Sequence, residues 1–234
     1  GMPFPRAKAT LYDAGTRVPL AIRWPNGIAN SGRVVDHFVN LSDLAATFLD
    51  VAGVPRPETV TARSLSAILV DQPVRDRDAS FTAMERNEYC RSDGGGYPCR
   101  AIRTERYLYV HNFEPDRWPA GSPDPANSHK RIPYGEVSLS VTRQFLFNHR
   151  SHQEFPDIAP LADLAFGKRP AEELYDVLED PNQMINLAGR IELLEIQTLL
   201  RRRLFDHLGQ TGDPRIVGGE VAWDDYQFHD PGQQ

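Results

Sequence analysis

The 234-residue sequence predicts an α/β protein in which a small antiparallel sheet packs against one long amphipathic helix near the C-terminus. Three observations carry that expectation. Short β-favouring runs lie at residues 79–84, 100–103, 107–111 and 173–177. Two of them are separated only by Thr104, Glu105 and Arg106, a spacing that suits an antiparallel hairpin. Residues 191–208 then place Leu193, Ile196, Leu200 and Leu204 at three- and four-residue intervals, ended by Gly209. A helix with such a stripe needs an apolar partner, and the small sheet is the one available.

Taken in order, residues 1–8 hold two prolines and read as an extended loop. The run Val18-Pro19-Leu20-Ala21-Ile22-Arg23-Trp24, closed by Pro25-Asn26-Gly27, is apolar on consecutive central positions. That pattern predicts a strand buried on both faces of a parallel or mixed sheet, imperfect at Pro19. Residues 41–52 predict a helix with Ser42 as N-cap, Leu44, Thr47, Phe48 and Val51 on one face, and Gly53 and Pro55 as the stop. A shorter helix is expected at 64–69. Residues 72–78 are charged and proline-bearing, so a boundary is placed there, dividing the chain into parts 1–75 and 76–234. Residues 114–135, dense in Pro, Asp, Asn and Gly, read as a long surface loop, and 136–166 as helical in places. No internal repeat is present, and the tail from Thr211 has no clear period.

Composition narrows the function. A net charge of −6 argues against a protein that tracks a nucleic-acid backbone, because counterion release needs concentrated positive charge. It leaves room for a small anionic substrate in a locally basic pocket. No apolar run approaches the roughly 18 residues needed to cross a bilayer, and the N-terminus lacks a signal-peptide pattern. Cys90 and Cys99 flank a glycine-rich stretch; a hairpin disulfide and two free thiols are both compatible with that spacing.

Several constellations are missing: a Gly-x-Ser-x-Gly elbow, a phosphate-cradling glycine loop and a His-Glu-x-x-His pair. Gly94-Gly95-Gly96 has no following helix to lend a dipole and reads as a flexible loop. His149, His152 and Glu154 could meet on one helical face, but with no third ligand evident they read as solvated polar residues. Arg201-Arg202-Arg203, in mid-helix, reads as a solvated face.

A set of blocks carries a more specific signal. Gly1-Met2-Pro3-Phe4-Pro5-Arg6-Ala7-Lys8-Ala9-Thr10-Leu11-Tyr12 is followed by Gly15-Thr16-Arg17-Val18-Pro19-Leu20 and Trp24-Pro25. Then come Asn40-Leu41-Ser42-Asp43-Leu44, Tyr97-Pro98-Cys99-Arg100-Ala101-Ile102-Arg103-Thr104, and Pro115-Asp116-Arg117-Trp118-Pro119. The last are Phe166-Gly167-Lys168-Arg169-Pro170, Glu173-Leu174-Tyr175-Asp176 and Asp180-Pro181 before Asn186-Leu187. In this order they resemble the C-terminal part of sulfatases, most closely the bacterial relatives of heparan N-sulfatase (sulfamidase). The resemblance covers roughly residues 1–215.

It implies the C-terminal portion of an alkaline-phosphatase-like sulfatase fold, residues 1–75 being the end of the large core and 76–234 the small C-terminal subdomain. It implies a hydrolase of sulfate esters or sulfamates on a sulfated carbohydrate, with calcium and a formylglycine nucleophile in a full-length relative and no cofactor in this chain. The formylglycine motif, Cys/Ser-x-Pro-x-Arg, is matched by neither Cys90 nor Cys99, and the paired aspartates and later Asp-Asn/His pair that bind the metal are missing. The isolated chain is therefore expected to be inactive. Lys8 matches the basic residue that holds a sulfate oxygen, where a cation neutralises charge developing during S–O or S–N cleavage. Glu85 and Arg86 match a Glu-Arg-His stretch bordering the substrate pocket, with Asn87 replacing the histidine; a polar strand end is the other reading. Lys168 and Arg169 are open to a pocket or a structural role. For full-length relatives the resemblance implies a periplasmic or secreted setting. Gly1-Met2 suggests a tag remnant before the start of a truncated reading frame. The alternative is a non-catalytic module that binds anionic glycans, or one that forms homo-oligomers through core surface exposed around residues 18–24.

Overall fold

A computed structural model describes residues 5–128, 131–218 and 223–227; the start of the predicted opening loop and much of the tail lie outside the described residues. The chain divides into two compact units, one made of Gly1–Val18, Thr82–Ile102 and Arg106–Gln234, the other of Pro19–Phe81 and Arg103–Glu105.

The expected small sheet is present. Its strands are β1 (Ala79–Met84), β2 (Cys99–Thr104), β3 (Tyr107–Asn112) and β4 (Glu172–Asp176), in the order β1-β2-β3-β4. Strand β4 runs antiparallel to β3 with Leu108 opposite Tyr175 and Tyr109 opposite Leu174. Alternation along the strands sorts the side chains. Cys99, Ala101, Leu108, Val110 and Tyr175 join a cluster with Leu11, Tyr12 and Tyr97, so the N-terminal segment covers that face.

Tyr109 and Leu174, of opposite parity, are buried too. Against β3 lies the long helix, Leu194–Gln210, which buries Leu200, Leu204 and Leu208 at successive turns. His111 of β3 meets Phe205 of that helix edge-on at 5.1 Å. Each fully buried leucine contributes about 1.5–3 kcal/mol of transfer free energy, so the stripe is enough to hold the helix on the sheet. Gly209 lies inside the last turn rather than after it. Two further helices, Val141–His149 and Ile158–Phe166, pack around Leu146, Ala162, Ala165 and Phe166, with Tyr134 stacked on Phe166 at 4.8 Å. Residues 114–128 and 131–135 form a long loop as expected, with a short turn at Pro125–Asn127, but Ala120, Ser122 and Ser128 in it are buried rather than on the surface.

Two expectations need correction. Residues 18–24 form no strand: Val18, Leu20, Ile22 and Trp24 are 55%, 45%, 40% and 37% exposed. A strand exists only where neighbouring backbones complete its ladder, and among the described residues none lies alongside this run. The helix Ser42–Val51 does form, but Ser42 is not its cap, and Phe48 and Val51 lie 66% and 48% exposed. Its buried face is Asp43, Ala46 and Thr47. The Asp43 carboxylate accepts the Asn40 N–H at 3.1 Å and the Arg63 N–H at 3.0 Å, and it pairs with Arg77 at 2.6 Å. Thr47 Oγ1 accepts the Leu65 N–H at 2.8 Å, tying the helix to the segment before Ser66–Leu69. A buried carboxylate with its own arginine lets a polar residue occupy a core position.

Candidate functional site

Lys8 lies exposed on a turn between two anchors. On one side the Arg6 guanidinium is buried 3.9 Å over the Tyr12 ring, donating to the Tyr175 hydroxyl at 3.2 Å and to the Gln183 carbonyl. On the other, the Tyr12 hydroxyl donates to Glu173 Oε2 at 2.6 Å, and the Asp13 N–H to Gln183 Oε1 at 2.9 Å. Glu173, 1% exposed, also accepts from the Tyr175 hydroxyl at 2.6 Å and from Asn112 Nδ2 at 2.7 Å. The Lys8 ammonium itself makes no ion pair among the described residues.

Glu85 and Arg86 follow β1 directly. The Glu85 carboxylate receives Arg100 at 2.6 Å and a two-pronged contact from Arg215 at 2.7–3.1 Å. Asp213 closes the ring: it pairs with Arg100 at 2.6 Å and caps the short helix Pro214–Val217 by accepting the Arg215 N–H at 3.0 Å. Burial pushes the Asp213 carboxyl up, but its bonds to Arg100 and the Arg215 N–H carry it below the ordinary value. Glu85 is thus fully engaged by arginines of its own chain. Arg86 donates to the Gly94 carbonyl at 2.9 Å, to the Asp224 carbonyl at 3.5 Å and to the Tyr226 carbonyl.

Residues 94–96 are more constrained than a flexible loop. A Cβ on Gly96 would stand 2.5 Å from the Glu85 carbonyl oxygen, and one on Gly95 3.1 Å from the Arg117 guanidinium. Glycine there lets the loop approach both. The Gly96 N–H donates to Asp224 Oδ1 at 2.8 Å, while Arg117 donates to the Gly96 carbonyl at 3.1 Å and pairs with Asp224 Oδ2 at 2.8 Å. Beside this clamp opens a pocket of about 250 Å³ lined by Ser92, Asp116, Trp118 and Ser122. Arg91 underlies it, buried and fully used by Glu136 at 3.0 Å and the carbonyls of Trp118 and Pro119.

Lys168 Nζ sits 5.4 Å over the Trp118 ring. Arg169 lies 5.0 Å from the Tyr12 ring and 6.0 Å from that of Tyr97. The structure therefore brings Glu85 and Arg86 to one cluster with residues 94–96, Arg117 and Asp224, and sets Lys8 on the separate Arg6–Tyr12–Glu173 anchor. Sequence reasoning missed Arg117 and Asp224. Arg117 stood inside a quoted block without a role, and Asp224 sits in a stretch without periodicity.

The cysteines are unbridged and both buried. Burial, with Glu136 beside Cys90 opposed by Arg91, pushes that thiol up to about 12; burial, opposed by Arg169, pushes Cys99 up to about 12. Neither environment suits a nucleophile, which needs a depressed pKa or an adjacent base. His149 stacks on Phe145 at 4.3 Å, and His152 stands 4.0 Å from Glu154. Among the described residues no three His, Cys, Asp or Glu side chains are grouped to hold a metal, and Glu85, Asp213 and Glu173 are each taken up by arginine, tyrosine or asparagine. A calcium cage of about six oxygen ligands does not fit these residues.

Residues 6–127 match the family described as N-sulphoglucosamine sulphohydrolase, C-terminal. An ulvan-active sulfatase of Formosa agariphila is 28% identical over 213 residues, 91% of this chain and 32% of that protein. The N-sulphoglucosamine sulphohydrolase of Homo sapiens is 27% identical over 229 residues, 92% of this chain and 41% of that protein. A solved structure of a 2-O GAG sulfatase aligns with a TM-score of 0.47 at 20% identity, over 86% of this chain and 34% of that one. The class these relatives share is the sulfatase, of which the chain spans roughly a third to two fifths. The chain belongs to the N-sulphoglucosamine sulphohydrolase C-terminal family. The resemblance read from the sequence blocks is thereby borne out.

Proposed function

We propose that this chain is the C-terminal part of a sulfatase acting on sulfated carbohydrate, hydrolysing a sulfuric ester or a sulfamate, and that by itself it does not turn substrate over. The family match over residues 6–127 carries this reading. The names of the relatives support the substrate class: one is ulvan-active and one is a sulphohydrolase of N-sulphoglucosamine. The geometry supports the division of labour. The chain offers cations for an anionic sugar, Lys8 on its anchored turn and Arg86 beside β1, but its two thiols are buried and held protonated. In the complete enzyme Lys8 would hold a sulfate oxygen and Arg86 would border the substrate, with its neighbour Glu85 paired to Arg100 and Arg215.

Isothermal titration with a sulfated glucosamine disaccharide and its desulfated counterpart tests the substrate class. The sulfated sugar should bind at least about tenfold tighter, since two charge-assisted hydrogen bonds contribute that much, and Lys8→Ala or Arg86→Ala should erase the difference. Equal affinity for the two sugars, or binding of neither, would overturn the reading.

A second reading is an oligomerising module, favoured by one observation: Val18, Leu20, Ile22 and Trp24 form an exposed apolar row. Sedimentation at micromolar concentration decides it. A concentration-dependent dimer weakened by Ile22→Asp supports association through this row, and a monomer excludes it.

A further inference from the structure

We propose that Asp224 is an internal anion seated in a binding site for a sulfate or carboxylate group, and that the turn at residues 223–227 must lift away before such a ligand enters. The seat is built from a backbone N–H and the Arg117 guanidinium, with Arg86 holding the backbone of the same turn. Asp224 Oδ1 takes the Gly96 N–H at 2.8 Å, and Oδ2 takes Arg117 at 2.8 Å. Arg86 donates to two carbonyls of the same turn, those of Asp224 and Tyr226. A forked guanidinium beside an oriented amide is the donor set that a tetrahedral oxyanion takes. Here the carboxylate comes from a short turn 128 residues away in sequence from Gly96, while Arg86 and Arg117 also donate to the Gly94 and Gly96 carbonyls.

The seat also opens onto usable space. The neighbouring pocket of about 250 Å³ is smaller than the roughly 300–1,000 Å³ of sites for drug-sized ligands, which suits one sugar residue bearing a charged group. The Trp118 indole supplies an apolar wall, and Ser92 and Ser122 line the same space. Glycine at 95 and 96 lets the backbone approach Arg117 and the Glu85 carbonyl, where a Cβ would stand 3.1 and 2.5 Å away.

The turn is held in a way that permits release. Trp223 and Tyr226 pack edge-on at 5.8 Å, while Asp225 and Tyr226 are exposed. A segment fixed mainly by polar contacts opens more cheaply than one fixed by core burial. Burial pushes the Asp224 carboxyl up, but its bonds to Arg117 and the Gly96 N–H carry it below the ordinary value, so it is charged at neutral pH. A charged occupant weakens any competing anion, whose apparent Kd is its intrinsic Kd divided by the fraction of molecules in which Asp224 is unseated. Only the identity of the ligand rests on the carbohydrate reading above; the anion seat does not.

The experiment uses the ¹⁵N-labelled chain, the Gly96 amide resonance as reporter and inorganic sulfate as probe. Asp224→Ala should saturate at a sulfate concentration about tenfold lower than wild type, Asp224→Asn should fall between, and Arg117→Ala should abolish the response. Asp225→Ala, next door and exposed, should behave as wild type. The remaining amide resonances report whether each variant is folded. Equal saturation of wild type and both Asp224 variants overturns the displaced-anion proposal and leaves the carbohydrate reading standing. No Gly96 response in any protein removes the anion seat. Sulfate binding to Asp224→Ala with no preference for the sulfated disaccharide supports the seat and sinks the carbohydrate reading.

Discussion

The Tyr12 hydroxyl and the Glu173 carboxylate meet at 2.6 Å across 161 residues of sequence, and that bond holds the Lys8 segment on the sheet. The same oxygen takes the Tyr175 hydroxyl at 2.6 Å, while Arg6 stands 4.0 Å away and Asn112 serves the other oxygen at 2.7 Å. Tyr12→Phe removes one donor of several and should cost about 1–3 kcal/mol. Glu173→Ala strands a buried Arg6 and should cost about 3–5 kcal/mol. Urea unfolding midpoints check both, with the larger loss expected at Glu173.

Asp43 and Arg77 form a second buried pair, 2.6 Å apart. Asp43→Ala frees the Asn40 and Arg63 amides and leaves the guanidinium unmatched, and should destabilise the chain by about 3–5 kcal/mol. Phe48→Ala, on the exposed side of the same helix, should change stability by less than about 1 kcal/mol. Unfolding curves giving the reverse order would contradict the assignment of the buried face.

The thiol assay is direct. Cys90 and Cys99 are buried, unbridged and pushed up to about 12, so Ellman's reagent at pH 8 should find no reactive thiol in the folded chain and both after denaturation. A denatured chain without thiols would mean that the two cysteines are bridged.

Acid should weaken the sheet–helix contact through His111. Burial lowers its pKa from 6.5, with Glu172 opposing and Arg201 assisting. A base whose folded pKa is depressed contributes stability that is complete above the unfolded value and is lost as pH falls below it. Stability should therefore decline from pH 7.5 to pH 5, and His111→Phe, which keeps the ring against Phe205, should flatten that decline.

What the sequence revealed followed from how local each signal is. The strands and the long helix were legible because alternation and a four-residue leucine spacing are properties of neighbouring residues. The run from Val18 to Trp24 was misread because an apolar stretch looks the same whether or not strands flank it. Asp43 gave no sign of burial, since its partner Arg77 lies 34 residues away. Lys8, Glu85 and Arg86 were reached through resemblance, but the ring that occupies Glu85 was not, because Asp213 and Arg215 come from beyond the long helix. Asp224 was invisible for the same reason: a clamp closed across 128 residues has no local pattern.

The proposal that this chain binds sulfate without cleaving it stands or falls on the hydrolysis of a chromogenic aryl sulfate in the presence of calcium. No release above background is expected, with wild type and Lys8→Ala indistinguishable. Turnover that depends on Lys8 would contradict it.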